Sequence, residues 1–502
     1  MEYFDVLIVG AGISGIGMAH HLEKFCPGKR YAIIEARAEI GGTWDLFRYP
    51  GVRSDSDMFT LGFGLHPWRD DRVISDGPSI KSYLVDTAKQ YGIDRHIRFN
   101  TSVEDMAFDT ARARWTVNVK TPDGDKQYAC NFLLMCTGYY RYSAGYTPDF
   151  PGADDFRGDI IHPQKWPENY DYAGKNVVII GSGATAVTLL PAMTDKAAHV
   201  TMLQRSPTWY FNLPERSNAI PVMSKFMPRS WAFRLLRWYR IVQQQVIYKL
   251  IRARPKASSD SLFKLAQEQL PPGYDAQTHF RPHYAPWDQR LCVVPDGDLF
   301  KAISDGKASV VTDHIERFVE DGIALKSGER LKADVIITAT GLALEAMGGA
   351  AASVDGRAVD LANTFHYRGL MLSDVPNASF FFGYINSSWT LRADLIARYF
   401  CRLLNYMDEK GFDIATPVND DPTLKPEPVV NLSAGYVTRV ADKLPKQGDR
   451  APWRNPQSYF NDVAALRFGR IDDGVMKFSR CAAAANDGRA TAPKRPEKLA
   501  AE

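Results

Sequence analysis

Val6-Leu-Ile-Val9-Gly10-Ala-Gly12-Ile-Ser14-Gly15 is the stretch whose reading decides the fold. Four consecutive apolar residues without alternation belong to a strand buried on both faces, as in a parallel sheet covered by helices. The glycines permit a tight turn and leave no side chain between the backbone and a ligand. The residues after Gly12 start an amphipathic pattern that runs to about Glu23. A second apolar strand, Tyr31-Ala-Ile-Ile34, ends at Glu35, 25 residues after Gly10. Strand, glycine turn, helix and strand in this order set a pyrophosphate against backbone N–H groups at a helix N-terminus, and the terminal carboxylate against ribose hydroxyls. Gly10, Gly12, Ser14, Gly15 and Glu35 are therefore predicted to hold a dinucleotide. A glycine turn alone is a weak signal; the flanking strands and the acid make it specific.

The pattern recurs. Val177-Val-Ile-Ile180 leads into Gly181-Ser182-Gly183-Ala184-Thr185-Ala186, then a helix and the strand His199-Val-Thr-Met-Leu203. Ala186 stands where a third glycine is usual, a position that only has to be small for helix–strand packing. This second strand ends in Gln204-Arg205-Ser206, with Arg205 24 residues after Gly181. A carboxylate there would repel a 2′-phosphate, whereas a guanidinium fork beside a hydroxyl binds one. Glu35 thus assigns the first site to FAD, and Arg205 with Ser206 assigns the second to NADPH.

Each copy continues through β-like stretches to an apolar strand ending in Thr-Gly, at Thr137-Gly138 and Thr340-Gly341. Between Ile315 and Lys332 the second copy alternates like a meander, turning at Asp321-Gly322 and Ser327-Gly328. The fold class expected is α/β, with two Rossmann-like dinucleotide-binding domains and a helical insertion in the second. The first domain is expected over 1–145 and 378–502, the second over 146–213 and 286–377, and the insertion over 214–285. Asn386-Ser-Ser-Trp389 opens a helix to about Tyr406 as the chain returns. The tail from Cys481, rich in Ala, Pro and Lys, is expected to be disordered.

Composition bounds the partners. Of 502 residues 45% are hydrophobic and 24% charged, and 61 basic against 58 acidic residues leave a net charge of +3, too small for a nucleic-acid partner. There is no run of eighteen apolar residues and no basic-then-apolar leader, so neither a spanning helix nor a signal peptide is expected. Six cysteines lack any CxxC spacing and read as reduced thiols of a cytoplasmic protein. Residues 221–256 hold nine Lys or Arg and no acid, with Trp231, Leu235, Trp238, Val242 and Val246 at helical spacing. The plain expectation is a helix packing this stripe on the body and covering a substrate pocket. The alternative is a basic amphipathic surface in peripheral contact with a membrane.

Two facing dinucleotides serve hydride transfer from nicotinamide to flavin. A disulfide reductase of this architecture needs a redox cysteine pair beside the flavin, and none exists, so oxygen is the acceptor the residues leave. Phe156-Arg-Gly158-Asp-Ile-Ile-His162-Pro-Gln-Lys-Trp166-Pro167 matches FxGxxxHxxxWP. On this motif the chain resembles the type I Baeyer–Villiger monooxygenases. Trp166-Pro167 separates it from the flavin-containing monooxygenases, which carry Tyr or Phe at the Trp position. The likeness to the bacterial branch that activates the thioamide prodrug ethionamide runs to about residue 480. Gly41-Gly42-Thr43-Trp44-Asp45-Leu46-Phe-Arg-Tyr-Pro-Gly-Val-Arg53-Ser54-Asp55 resembles that family's flavin-contacting loop, and Asp288-Gln-Arg290 stands where it carries an active-site arginine. Many members have a Lys-Arg pair there, so a second NADPH-phosphate contact is not assigned. Val103 is included in the expected cofactor-binding set.

The resemblance implies FAD reduced by NADPH, O2 activated on the flavin, and one oxygen atom inserted beside a ketone carbonyl to give an ester or lactone, with sulfide oxidation alongside. Arg290 would stabilise the negative charge that develops, and Asp55 would hold Arg290. Two other readings stand beside this one. A heteroatom monooxygenase would need no such arginine, and a membrane-attached flavoprotein redox sensor would release its oxidant unused.

Overall fold

A computed structural model describes residues 1–430 and 433–481; the composition-biased tail beyond Cys481 lies outside them. The first sheet grows from β1 (Glu2–Val9), α1 (Ile13–Phe25) and β2 (Tyr31–Ile34), with Val6 opposite Tyr31 and Val9 opposite Ile34 in parallel register. The short helices α2 (Thr43–Leu46) and α3 (Met58–Leu61) and then α4 (Gly77–Gln90) lead to the edge strand β3 (Ile97–Arg98). An antiparallel run β4 (Ser102–Asp109), β5 (Arg114–Thr121) and β6 (Gly124–Met135) returns so that β6 lies parallel to β1. Side chains of β1 divide between two cores. Val6 and Ile8 pack with Ile16, Ala19 and Leu22 of α1, while Leu7 and Val9 pack with Met106, Trp115 and Val117. That two-sided burial is why β1 reads as an unbroken apolar run.

The second sheet repeats the plan with β7 (Asp159–Ile161), β8 (Asn176–Ile180), α5 (Ala184–Met193) and β9 (His199–Gln204). Here β10 (Tyr210–Leu213) pairs with β11 (Cys292–Pro295), and β12 (Ala308–Thr312) joins β9. The meander is β13 (Ile315–Val319), β14 (Gly322–Leu325) and β15 (Arg330–Lys332), and β16 (Val335–Thr338) completes the parallel order β12-β9-β8-β16-β7. The chain rejoins the first sheet earlier than residue 378. Ala378–Phe380 does lie beside β6, but β17 (Ala351–Val354) already pairs with β4 and β18 (Arg357–Ala358) with β17. Ala352 and Val354 pack on the same core as Met106 and Phe108, which draws the crossing forward.

Between the two halves of the second unit lie α6 (Ala219–Met223), α7 (Arg229–Ala253), α8 (Pro255–Gln267) and α9 (Ala276–Phe280). The apolar stripe of α7 does not pack on the body. Trp231 is 58% and Trp238 48% exposed, and the helix buries Ala232, Phe233, Leu236 and Ile241 instead. Its inward polar residues explain the orientation. Arg237 donates to the carbonyls of Phe59, Thr60 and Gly62 at 2.9, 3.3 and 2.6 Å, satisfying acceptors in and just after α3. Arg240 lies 3.2 Å from the buried Asp57, whose carboxyl is pushed up to about 6 by burial although Arg240 pulls the other way.

After α10 (Asp298–Ser304), the helix α11 (Trp389–Lys410) begins at the expected Trp389 and packs along α1. Its Arg392 is fully buried, donates to Asn455 Oδ1 at 2.6 Å and lies 3.6 Å from Asp462, which also accepts from Tyr384 Oη at 2.6 Å. Arg392→Ala should strand the Asp462 carboxylate and lower stability by roughly 3–5 kcal/mol. The midpoint of urea unfolding, followed by circular dichroism, measures it; a midpoint equal to that of the unaltered protein would refute this account.

Candidate active site

The two glycine turns are built alike. Gly10 has φ +106°, and a Cβ there would fall 2.6 Å from the carbonyl oxygen of Cys136; Gly181 has φ +132°, and its Cβ would fall 2.4 Å from that of Ala339. In each half the colliding carbonyl stands two residues before the glycine of Thr-Gly, so the turn and the strand end specify each other. Gly15 is closed to a side chain for another reason: its Cβ would sit 1.9 Å from Gly10 O, where α1 meets β1.

A cleft of about 1460 Å³ joins the halves, lined by Gly12, Ser14, Gly42, Thr43, Trp44, Arg53, Ser54, Asp55, Ala184, Thr185 and Arg290. It is thus bounded by the N-terminal turns of α1 and α5, where unpaired backbone N–H groups favour phosphate. Behind this lining, Glu35 accepts from Ala11 N at 2.7 Å and from Arg37 N at 2.8 Å. Burial raises the pKa of Glu35 against the pull of those two N–H groups and of the Arg37 guanidinium. The carboxylate is thereby fixed at the end of β2 with lone pairs left for ribose hydroxyls. Together with the side-chain-free turn, this donor and acceptor set fits FAD.

Several predicted residues stand elsewhere. The buried carboxylate of Asp45 is taken by Arg37 and Lys81, each at 2.7 Å, and by Arg48 at 3.3 Å, so it organises the loop behind the cleft. Burial raises its pKa, and Lys81 and Arg37 more than reverse the effect. Leu46 closes α2 beside it. Val103 lies on β4 opposite Val119, packed on the core that Leu7 and Val9 share with Met106 and Trp115 and apart from the cleft lining. Ala186 is buried in α5, facing its sheet. Arg205 and Ser206 are exposed at the end of β9, next to the second turn: Ser182 Oγ donates to Ser206 O at 3.1 Å and lies 2.9 Å from Thr208 Oγ1. Arg53 stays in the cleft lining and there forms a short ion pair with Asp298, which ties the first unit to α10.

Arg290 Nη1 donates to Asp55 Oδ2 at 3.1 Å, bringing together residues 235 apart in sequence. Burial works against the guanidinium charge, whereas Tyr139, Asp55, Tyr436 and Tyr140 favour it, and the net shift is upward. A second, mostly apolar pocket of about 950 Å³ opens beside the cleft, lined by Met347, Leu372, Phe382, Val430 and Tyr436 among others. Gly138, Tyr139, Arg290, Tyr384 and Trp389 line both spaces and form the boundary between them. Tyr139 stacks on Trp389 at 5.2 Å and 18°, its hydroxyl lies 2.7 Å from that of Tyr140, and Trp389 Nε1 donates to Ser14 Oγ at 2.8 Å. The sequence reading did not name Tyr139, Tyr384 or Tyr436 as site residues. Tyr139 directly follows Thr137-Gly138, an adjacency that would have flagged it; Tyr384 and Tyr436 carry no local signal.

The FxGxxxHxxxWP segment lies outside this chemistry. His162 Nε2 lies 3.3 Å from Gly341 O, Gln164 Nε2 donates to Arg141 O at 2.7 Å, and Trp166 meets Tyr170 edge-on at 6.1 Å. It holds the linker after Gly138 against the second Thr-Gly. The six cysteines are buried and form no disulfide; Cys26 and Cys401 hydrogen-bond to each other where α1 packs on α11, and Cys136 alone of the six lines the cleft, so no redox pair faces it.

Fold and site define a flavoprotein with two facing dinucleotide units and no redox disulfide. Residues 7–227 match the family described as pyridine nucleotide-disulphide oxidoreductase. The FAD-containing monooxygenase EthA of Mycobacterium tuberculosis is 51% identical over 480 residues, covering 95% of this chain and 98% of the relative. EthA of Mycolicibacterium smegmatis is 52% identical over 484 residues, covering 96% and 98%. The chain belongs to the FAD-containing monooxygenases. Its fold is that of a steroid monooxygenase solved in the oxidised state bound to NADP, at TM-score 0.76 and 19% identity over 96% of this chain and 100% of that one.

Glu35→Ala should weaken FAD binding by about 10- to 100-fold, the effect of a lost charged hydrogen-bond acceptor. Flavin content after gel filtration and a titration of the apoprotein measure it. Stoichiometric flavin at unchanged affinity would remove Glu35 from the cofactor site.

Proposed function

We propose that this protein is a Baeyer–Villiger monooxygenase that takes hydride from NADPH and inserts one oxygen atom of O2 beside the carbonyl of an apolar ketone. Ketone, O2, NADPH and a proton give an ester or lactone, NADP+ and water; sulfide oxygenation is a side activity of the same site. The observation that carries this reading is Arg290, a fixed cation paired with Asp55, at the boundary between the cofactor cleft and an apolar pocket. FAD, when bound, supplies hydride acceptance and oxygen activation.

The chain's own residues do the rest. Negative charge must develop on oxygen where the reduced cofactor meets the substrate carbonyl, and a guanidinium that stays protonated stabilises it with the N–H groups Asp55 does not use. Asp55 holds that fork toward the cleft; because Asp55 accepts from only one of the two terminal nitrogens, the other is left for the reacting oxygen. Tyr139 and Trp389, stacked on one another, form an apolar wall shared by the two pockets beside Arg290. Arg205 and Ser206 would receive the 2′-phosphate that distinguishes NADPH from NADH. Apolar ketones also partition into lipid, and the reading extends to peripheral membrane contact through residues 221–256. A heteroatom monooxygenase has less support, since it has no use for a clamped arginine at this boundary.

Arg290→Ala should leave flavin reduction by NADPH intact while ketone oxygenation falls by about 10²–10³. Stopped-flow absorbance and product mass over a panel of linear, cyclic and aromatic ketones measure the two halves, and normal ester formation by the variant would end the assignment. Arg205→Ala should raise KM for NADPH and spare NADH, as steady-state kinetics with each reductant would report. Equal losses with both reductants would exclude a phosphate contact.

A further inference from the structure

The outer face of α7 is left largely uncovered among the described residues, and it is the wrong face for water. Trp231, Leu235, Trp238, Val242, Val246 and Leu250 run along it, each more than two-fifths exposed, and Phe226, in the turn before α7, is 82% exposed. The patch continues onto another segment. Trp238 meets Tyr459 edge-on at 6.0 Å, and Tyr459 touches Phe460, itself 43% exposed. Contiguous apolar surface of this kind marks an interaction site.

The charges around it narrow the partner. Lys225, Arg234, Lys249, Arg254 and Lys256 are exposed around the stripe, with no ion pair to any of them among the described residues, and 221–256 contains no acid. The two cations that face inward, Arg237 and Arg240, are spent on the α3 carbonyls and Asp57. A second copy docked through this face would set the same unpaired cations against each other. An anionic lipid surface accepts both the tryptophans and the charges. At 25 residues α7 is about 37 Å long, and no helix among the described residues is apolar enough to cross a membrane, so the helix would lie in the interface plane.

We infer that α7, with the α6–α7 turn, is an interfacial helix that seats the protein on an anionic bilayer. Its inner face then brings the reaction site to the lipid. Ile241 packs on Tyr384, a wall of both pockets, and Gln245 Nε2 donates to Ser387 Oγ at 2.9 Å. One helix diameter, roughly 10 Å, separates the bilayer from that wall. An apolar carbonyl compound dissolved in the membrane is the substrate class this arrangement serves, a clause that rests on the proposed chemistry; the docking itself does not.

The test uses the full-length FAD-loaded protein and vesicles of phosphatidylcholine, either pure or mixed three to one with phosphatidylglycerol. The protein should float with the anionic vesicles at low ionic strength and be released at high. Arg234→Glu/Lys249→Glu and Trp231→Ser/Trp238→Ser should each reduce partition by about tenfold or more, with flavin content and NADPH-driven flavin reduction unchanged. Both variants should convert a bilayer-dissolved ketone more slowly and a water-soluble ketone at the original rate. No flotation of the unaltered protein, equal flotation with both vesicles, or a stripe-dependent dimer in sedimentation without vesicle binding would overturn the inference. Flotation as described without conversion of either ketone would support the docking and count against the proposed oxygenation.

Discussion

Everything in this molecule depends on holding two glycine turns at one cleft. Each turn is fixed within its own sheet by a carbonyl that leaves no room for a Cβ, at Cys136 for Gly10 and at Ala339 for Gly181. Besides the Arg53–Asp298 pair and the packing of Tyr49 and Val52 on the second core, a short seam of hydrogen bonds relates the sheets. Tyr146 N donates to Gly341 O at 3.1 Å, Thr340 Oγ1 donates to Tyr146 O at 2.6 Å, and His162 adds its ring from the other side. These bonds run from the linker after the first Thr-Gly to the second Thr-Gly. Rotation about that seam would move α5 relative to α1 and separate Asp55 from Arg290. The conspicuous motif of the sequence thus acts as a joint between the two sheets, and the cleft is lined by residues on either side of it.

Sequence reading reached those parts whose cause is local. The turns, their strands, the Thr-Gly ends and the meander each follow from fewer than about thirty residues of pattern, and all stand where that pattern put them. Arg290 with Asp55 was legible for a different reason, a likeness of motif, and the structure brings the two into hydrogen-bonding distance. Tyr384 and Tyr436 were not legible, because each reaches the pocket by tertiary packing from a segment with no signature. Asp45 shows the converse. Its loop carries a strong motif, yet its own carboxylate is consumed by Arg37, Lys81 and Arg48.

The insertion illustrates what helical spacing does and does not contain. The period of Trp231, Leu235, Trp238, Val242 and Val246 predicts a helix and a stripe, and both exist. Which side of a helix turns inward is decided by what the body offers. Here the body offers bare carbonyls at α3 and a buried Asp57, so Arg237 and Arg240 go in and the tryptophans stay out. Burial of polar groups demands partners, whereas exposure of apolar ones costs less per residue.

The six buried cysteines also bear on how long such a molecule lasts. An enzyme that activates oxygen exposes its own walls to whatever oxidant escapes coupling. Cys136 lines the cleft, and Cys292 lies 4.0 Å from the Ser182 carbonyl near the second turn. Burial pushes both thiols up, that of Cys292 to about 12. Thiolate is the form that reacts with peroxide, so these sulfurs are chemically quiet where oxidant is most concentrated. Uncoupled turnover would therefore age the protein first at accessible thioethers such as Met1, Met223 and Met227, and only later at the cleft thiols.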